Sequence, residues 1–198
     1  MQLVATSGPP TAIAVDPNRD AAVATNIQNT GTTSATGGLD VISLASNPPT
    51  RSSTASINTI TANPTGIVFD PSITQTCTST TSCTGAFAPG LFYVSSTQQN
   101  AVYSFNPDTS TATPIRVGVN PYSLGYNYQT GTLLTINSTS NTSSVVDTVG
   151  ATNSVFSTRN TLGIGSQSQF AVVVDNVTNT AVIADQNNNR VLILALPQ

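Results

Sequence analysis

The chain has 198 residues, 38% of them hydrophobic and only 7% charged, with five arginines against eight aspartates for a net charge of −3. Lysine, histidine and glutamate are missing altogether, which excludes a Ser-His-Asp triad, a Cys-His pair, a Schiff-base lysine and a Ser-Lys pair. No basic patch speaks for a nucleic-acid partner, and no apolar run is long enough to span a bilayer.

What remains is rich in Val, Ile and Thr, which favour pleated, half-buried surfaces. Clusters of Pro, Gly and Asn cut the chain into short strands. The fold class read from this is all-β. The start, "MQLVATSGPP", lacks the charged and apolar regions of a signal peptide, so it reads as a processed or engineered beginning. Residues 2–6 within it have strand character.

From residue 11 the chain repeats itself. "TAIAVDP", "TGIVFDP", "YSLGYNY" and "FAVVVDN" are short apolar runs ending at Asp16, Asp70, Asn127 and Asp175, which stand 54, 57 and 48 residues apart. A four-stranded propeller blade takes ~40–50 residues, so each period fits one blade. In the first repeat (8–62) the run is followed by "AAVATNIQ", "LDVISLA" and "TASINTITA". The second (63–119) continues with "LFYVSST", "AVYSFNP" and "ATPIRVGV". Between its first two strands lies "TQTCTSTTSCTG", where Cys77 and Cys83 stand six residues apart. We read them as a disulfide closing a small Thr/Ser loop, with two free thiols as the alternative; a disulfide implies an oxidising compartment.

The third repeat (120–168) holds "TLLTINST", "SVVDTVG" and "NSVFSTRNT", together with Tyr122, Tyr126 and Tyr128. These tyrosines are a candidate aromatic platform for a sugar or peptide, against the ordinary reading as half-buried strand residues. Sequons at Asn137, Asn141 and Asn176 matter only in a eukaryotic secretory pathway. The fourth repeat (169–198) has "AVIADQNNN" and "RVLILAL" but no fourth strand. Its turn, Asp185 to Arg190, reads as a hairpin braced by Arg190 rather than a calcium loop. The expected architecture is a single domain of four four-stranded blades. The ring would close when Gln2–Thr6 pair with Val191–Ala195. A half of a six- to eight-bladed ring, completed by a homodimer, is an alternative; a β-sandwich explains the strands but not their fourfold order.

"VIADQNNNRVLIL" resembles the NHL repeat, and "LFYVSSTQQNAVYSF" is similar to the YVTN-type propeller repeat. The first and third repeats are degenerate. The resemblance implies a β-propeller and little about chemistry, because propellers host many functions. Propeller enzymes of this kind commonly use channel histidines, which this chain lacks. The expected function is therefore a non-enzymatic extracytoplasmic module of bacterial type, extracellular, at the cell surface or periplasmic. It would bind a protein or carbohydrate, with no catalytic residue. The alternative is a fragment of an NHL/YVTN-type lyase or hydrolase whose catalytic residues lie elsewhere. Asp16, Asp70 and Asp175 share one repeat position. Each reads as a turn-forming Asp, and the sharper alternative is a carboxylate ring at the channel mouth able to hold calcium. No cofactor other than such a cation is expected.

Overall fold

The computed structural model describes residues 2–28, 36–51, 63–71, 90–148, 154–160 and 171–197. Among them are fifteen strands and one 3-10 turn. The first sheet holds β1 (Pro10–Asp16), β2 (Ala21–Gln28), β3 (Thr36–Ser43) and β4 (Thr50–Arg51). The second holds β5 (Pro64–Asp70), β6 (Leu91–Ser96), β7 (Ala101–Asn106) and β8 (Thr111–Arg116). The third holds β9 (Pro121–Asn127), β10 (Thr132–Asn137), β11 (Thr142–Asp147) and β12 (Ser154–Asn160). The fourth is β13 (Val172–Asp175), β14 (Thr180–Asp185) and β15 (Arg190–Ala195). Every sheet is an antiparallel meander, one per repeat. All of "TASINTITA" (54–62) and both cysteines lie outside the described residues, so neither that strand nor the Cys77–Cys83 pairing is placed.

The meanders follow from the turns. Asp20, Asn100, Ser110, Asn141, Asn179 and Asn189 close the turns between successive strands with positive φ. Asn and Asp accept that left-handed conformation more readily than other residues with a Cβ. At the first turn of blades 1, 3 and 4 an Asx bond sets the geometry. Asp16 Oδ1 accepts the Asn18 amide at 2.9 Å, Asn127 Oδ1 accepts Gln129 at 2.9 Å, and Asp175 Oδ1 accepts Val177 at 2.9 Å.

The strands β1, β5, β9 and β13 lie innermost, and each touches the next. Each blade has a trailing face toward the preceding blade and a leading face toward the following one. Blade 1 leads with Val23, Leu39 and Val41 into the trailing Ile67, Phe92 and Phe105 of blade 2. Blade 2 leads with Tyr93, Val102 and Ile115 into Leu124, Leu133 and Val146 of blade 3. Blade 3 leads with Leu134, Ile136 and Val145 into Val174, Ala181 and Ile183 of blade 4. Alternation along each strand supplies both faces. The fit is close: a Cβ on Gly125 would meet Val174 Cγ2 at 2.8 Å.

The expected closing strand is not formed within the chain. No strand runs through residues 2–6, and among the described residues β15 pairs only with β14. The segment lies instead on the trailing face of blade 1. Val4 packs on Ala22, Ala24 and Ile42, and Asp40 Oδ2 accepts the Ser7 amide at 2.8 Å and the Ser7 hydroxyl at 3.1 Å. The physical reason is Asp40 itself. A buried carboxylate needs donors, and Ser7 supplies two beside Asn26 Nδ2 at 2.8 Å and Arg51 at 3.4 Å. No contact comparable to those between neighbouring inner strands joins β13 to β1, so the four blades form an open fan.

Candidate ligand-binding site at the axis

Each of the first three inner strands begins with a bulge. Pro10 faces Asn26 and Ala12 faces Thr25, so Thr11 is the extra residue. The register slips in the same way between Pro64 and Ile67 on β5, and between Pro121 and Ser123 on β9. Bulges unpair backbone groups and re-aim side chains. Here the unpaired amides find hydroxyls on the second strand: Ala12 N–H donates to Thr25 Oγ1 at 2.9 Å, and Gly66 N–H to Ser95 Oγ at 2.8 Å.

The re-aimed hydroxyls stitch one blade to the next around the axis. Thr11 Oγ1 donates to the Pro64 carbonyl at 2.8 Å and Thr65 Oγ1 to the Tyr122 carbonyl at 3.1 Å. Ser95 Oγ also donates to the Tyr122 carbonyl, at 2.8 Å, and Val172 N–H donates to Ser123 Oγ at 3.2 Å. Between these strand starts lies an open pocket of about 320 Å3, lined by Ala12, Thr65, Gly66, Tyr122, Ser123 and Ala171 among others. Among the described residues its wall is hydroxyl, peptide, aromatic and aliphatic, with no carboxylate or guanidinium. Such a wall can hydrogen-bond and stack on a neutral ligand.

The other ends of the inner strands carry polar latches between blades. Arg19 of blade 1 bonds Asp16, the Gly90 carbonyl at 3.0 Å and Asp108 of blade 2. Burial works against the Arg19 charge, but the bonds to Asp108 and Asp16 leave its pKa above the ordinary value. At the next interface Tyr93 stacks on Tyr126 with ring centroids 5.5 Å apart, and the Tyr93 hydroxyl donates to Asp70 at 3.4 Å. Burial first, and the nearby Asp70 charge after it, push the Tyr93 phenol up; burial does the same to Tyr126. At the third interface Asn127 Nδ2 donates to Asn179 Oδ1 at 2.7 Å.

The residues singled out from the sequence are thus dispersed. Asp16 is buried under Arg19, Asp70 lies beside Tyr93, and Asp175 is exposed and bonded to its own turn at Val177 and Thr178. The Thr178 hydroxyl, then the Val177 amide, hold the Asp175 carboxyl below its usual range. The carboxylate ring is therefore not assembled: no group of three or more metal-ligating side chains occurs among the described residues. Nor do the three tyrosines share a platform. Tyr122 lines the pocket, Tyr126 is packed on Tyr93, and Tyr128 is exposed in the turn beyond β9. Arg190 does brace its turn, with Nε 2.7 Å from the buried Asp185 carboxylate, which also accepts two bonds from Asn188 at 2.9 Å. Burial works to raise the Asp185 pKa, yet the Arg190 and Asn188 bonds leave it lowered.

Sequence reasoning passed over the axial hydroxyls and the Arg19 latch. Thr11 and Thr65 were visible as a shared Thr opening two of the repeats. Arg19 and Asp108 lie 89 residues apart, and no local signal links them.

No family model matches the chain, and no curated protein does. Solved structures do, and they are propeller-like. Hydrazine synthase of Kuenenia stuttgartiensis superposes with a TM-score of 0.61 at 15% identity, over 98% of this chain and 60% of that one. An auxiliary nutrient binding protein of Bacteroides thetaiotaomicron gives 0.58 at 13% identity, over 92% and 44%. A chain of the nidogen/laminin complex gives 0.54 at 13%, over 92% and 62%. The chain has a β-propeller fold. It spans less than two thirds of the length of each of these three chains.

Proposed function

We propose that the chain is a non-enzymatic, extracytoplasmic propeller module of the NHL/YVTN type that binds a neutral carbohydrate at its axial pocket. The observation that carries this is the pocket wall. Thr65, Gly66, Ser123 and the half-buried Tyr122 line about 320 Å3 with no charged side chain among the described residues. Pockets with a few fixed polar groups on an otherwise apolar wall are the ordinary form of small-ligand sites. The nutrient-binding propeller of similar fold supports a binding role. The lysine-free, hydroxyl-rich composition and the spacing of Cys77 and Cys83 support a place outside the cytoplasm. The "VIAD…NR" and "FYVSS" segments support the NHL/YVTN type.

The test is titration of the 198-residue chain with neutral disaccharides and trisaccharides, followed by calorimetry and amide shifts. Binding of a neutral sugar that is lost in Tyr122→Ala and weakened in Thr65→Val is the expected result. Binding only to peptides would replace the sugar with a protein partner. Sugar binding unaffected by both substitutions would remove the axial site. Glycosidic or ester turnover by the chain that survives rigorous purification would overturn the non-enzymatic reading and place catalytic residues within these 198 residues.

A further inference from the structure

The repeats allow every side chain to be compared with its equivalents in the other blades, and the comparison isolates two faces. On the trailing side, Ile13 of β1 corresponds to Ile67 and Leu124. Those two are 9% and 6% exposed, whereas Ile13 is 62% exposed, and its neighbour Val15 is 50% exposed. On the leading side, Ile193 of β15 corresponds to Val41 and Val145, and Val191 to Leu39 and Val102, as the strand registers show. All four equivalents are buried, 9% exposed at most, while Ile193 is 76% and Val191 62% exposed. Val173 joins them on the same face, also exposed.

These are not scattered surface residues. They belong to the two halves of the blade-to-blade interface that recurs three times inside the chain: the leading half is open at blade 4, and on the trailing half of blade 1 Val4 covers Ala22, Ala24 and Ile42 while Ile13 and Val15 stay exposed. Their character is apolar on both sides, and a large exposed apolar patch marks an interaction surface. Beside Ile13, the N-terminal segment and the trailing face enclose a groove of about 380 Å3 lined by Val4, Thr6, Pro10, Ile13, Ala24 and Ile42. It is shaped to receive side chains from a neighbouring blade.

We infer that the leading face of blade 4 docks on the trailing face of blade 1 of a second copy, and that two copies close one eight-bladed ring about a common two-fold axis. Three considerations fix the occupant. A leading face fits a trailing face at each internal interface, so the complement of each end is carried by the other end of the same chain. The single chain does not bring the two together, since β13 and β1 have no contact of the kind that joins neighbouring inner strands. Propellers close with typically 4–8 blades, so with four blades already in an open fan, two copies reach a closed ring and three exceed it. The contact is heterologous but closes on itself, which prevents open-ended assembly. Closure would also bring the axial pocket walls of both copies around one channel, a consequence that does not depend on what the pocket binds.

The test is the mass of the 198-residue chain in solution, by sedimentation velocity and native mass spectrometry across the micromolar range. The expected species is a dimer of the 20.3 kDa chain. Ile193→Arg and Ile13→Asp each alter a residue exposed in the isolated fold, so each variant should keep its circular dichroism spectrum and a cooperative melt yet sediment as a monomer, its melting temperature no longer depending on concentration. An equimolar mixture of the two variants should regain a dimer, because one interface is then intact and the other juxtaposes Arg with Asp. A monomeric wild type would overturn the inference and leave both faces to blades of another chain or segment. A dimer untouched by both substitutions, or a ladder of larger oligomers, would overturn it as well.

Discussion

Arg19 and Asp108, from adjacent blades, are joined at two points: Arg19 Nη2 lies 2.7 Å from Asp108 Oδ2 and Nε lies 3.1 Å from Oδ1. The same guanidinium also covers the buried Asp16 and bonds the Gly90 carbonyl. The two acids are not equivalent, because Asp16 is buried whereas Asp108 is half exposed. Arg19→Ala leaves the buried Asp16 Oδ2 without its cation, while Oδ1 keeps the Asn18 amide, and should cost about 1.5–3 kcal/mol. Asp108→Ala removes only the solvated arm and should cost under about 1 kcal/mol. Urea denaturation of both variants checks the order; equal losses would contradict it.

The bulge at the axis makes a second pair of variants informative. Ser95 Oγ satisfies the Gly66 amide and the Tyr122 carbonyl together. Ser95→Ala should destabilise by about 0.5–1.5 kcal/mol, since the half-buried Gly66 amide loses its partner at the wall of an open pocket. Gly66→Ala places a Cβ 2.6 Å from the Tyr122 carbonyl oxygen, a backbone atom that cannot swing away. It should cost about 1–3 kcal/mol through overpacking and shift the amide resonances around Tyr122. Thermal melts with amide spectra of both variants provide the measurement.

At high pH the limit should come from Tyr93 and Tyr126. Both phenols are raised above the ordinary value by burial, so the folded chain holds their protons more tightly than the unfolded chain. The stability they contribute is complete below the ordinary tyrosine pKa of about 10 and is lost as pH rises beyond it. Phenolate absorbance at these sites should appear together with loss of the β-sheet circular dichroism. Independent titration of all five tyrosines in a folded chain would disprove this.

Asp185 sets the acid side. Its pKa is lowered in the folded chain, so its contribution is present above the ordinary carboxylate range and is lost as pH falls through the depressed value. Asp185→Asn should be less stable than wild type at neutral pH, and the gap should narrow towards about pH 3. Denaturation midpoints at the two pH values measure that narrowing.

The order of the blades was legible because apolar runs, turn residues and the Asp16, Asp70, Asn127 and Asp175 position recur along the chain. Asp185 and Arg190 were legible as well, being five residues apart in one hairpin. The path of residues 2–7 was not. Strand character in "QLVAT" is a local property, whereas the segment's position is decided by Asp40, a buried acid that collects donors from Ser7, Asn26 and Arg51. The axial site escaped for a similar reason. A one-residue slip in strand register turns Thr11 and Thr65 toward neighbouring blades, and no periodicity announces a bulge. Nothing in the local sequence sets Ile13 apart from its equivalents Ile67 and Leu124; its exposure depends on which blade stands before it.

Among the described residues, the main contacts between blades of this fan run between sequence neighbours, blade 1 to 2, 2 to 3 and 3 to 4. Thermodynamically it is a short one-dimensional array, whose stability is a sum of blade terms and nearest-neighbour coupling terms. An interior blade is held by two couplings and a terminal blade by one. In the monomeric chain unfolding then has a preferred geography, with β13 to β15 and β1 to β4 opening ahead of the middle sheets and amide exchange slowing toward β6 and β10, a gradient that ring closure by a second copy would flatten.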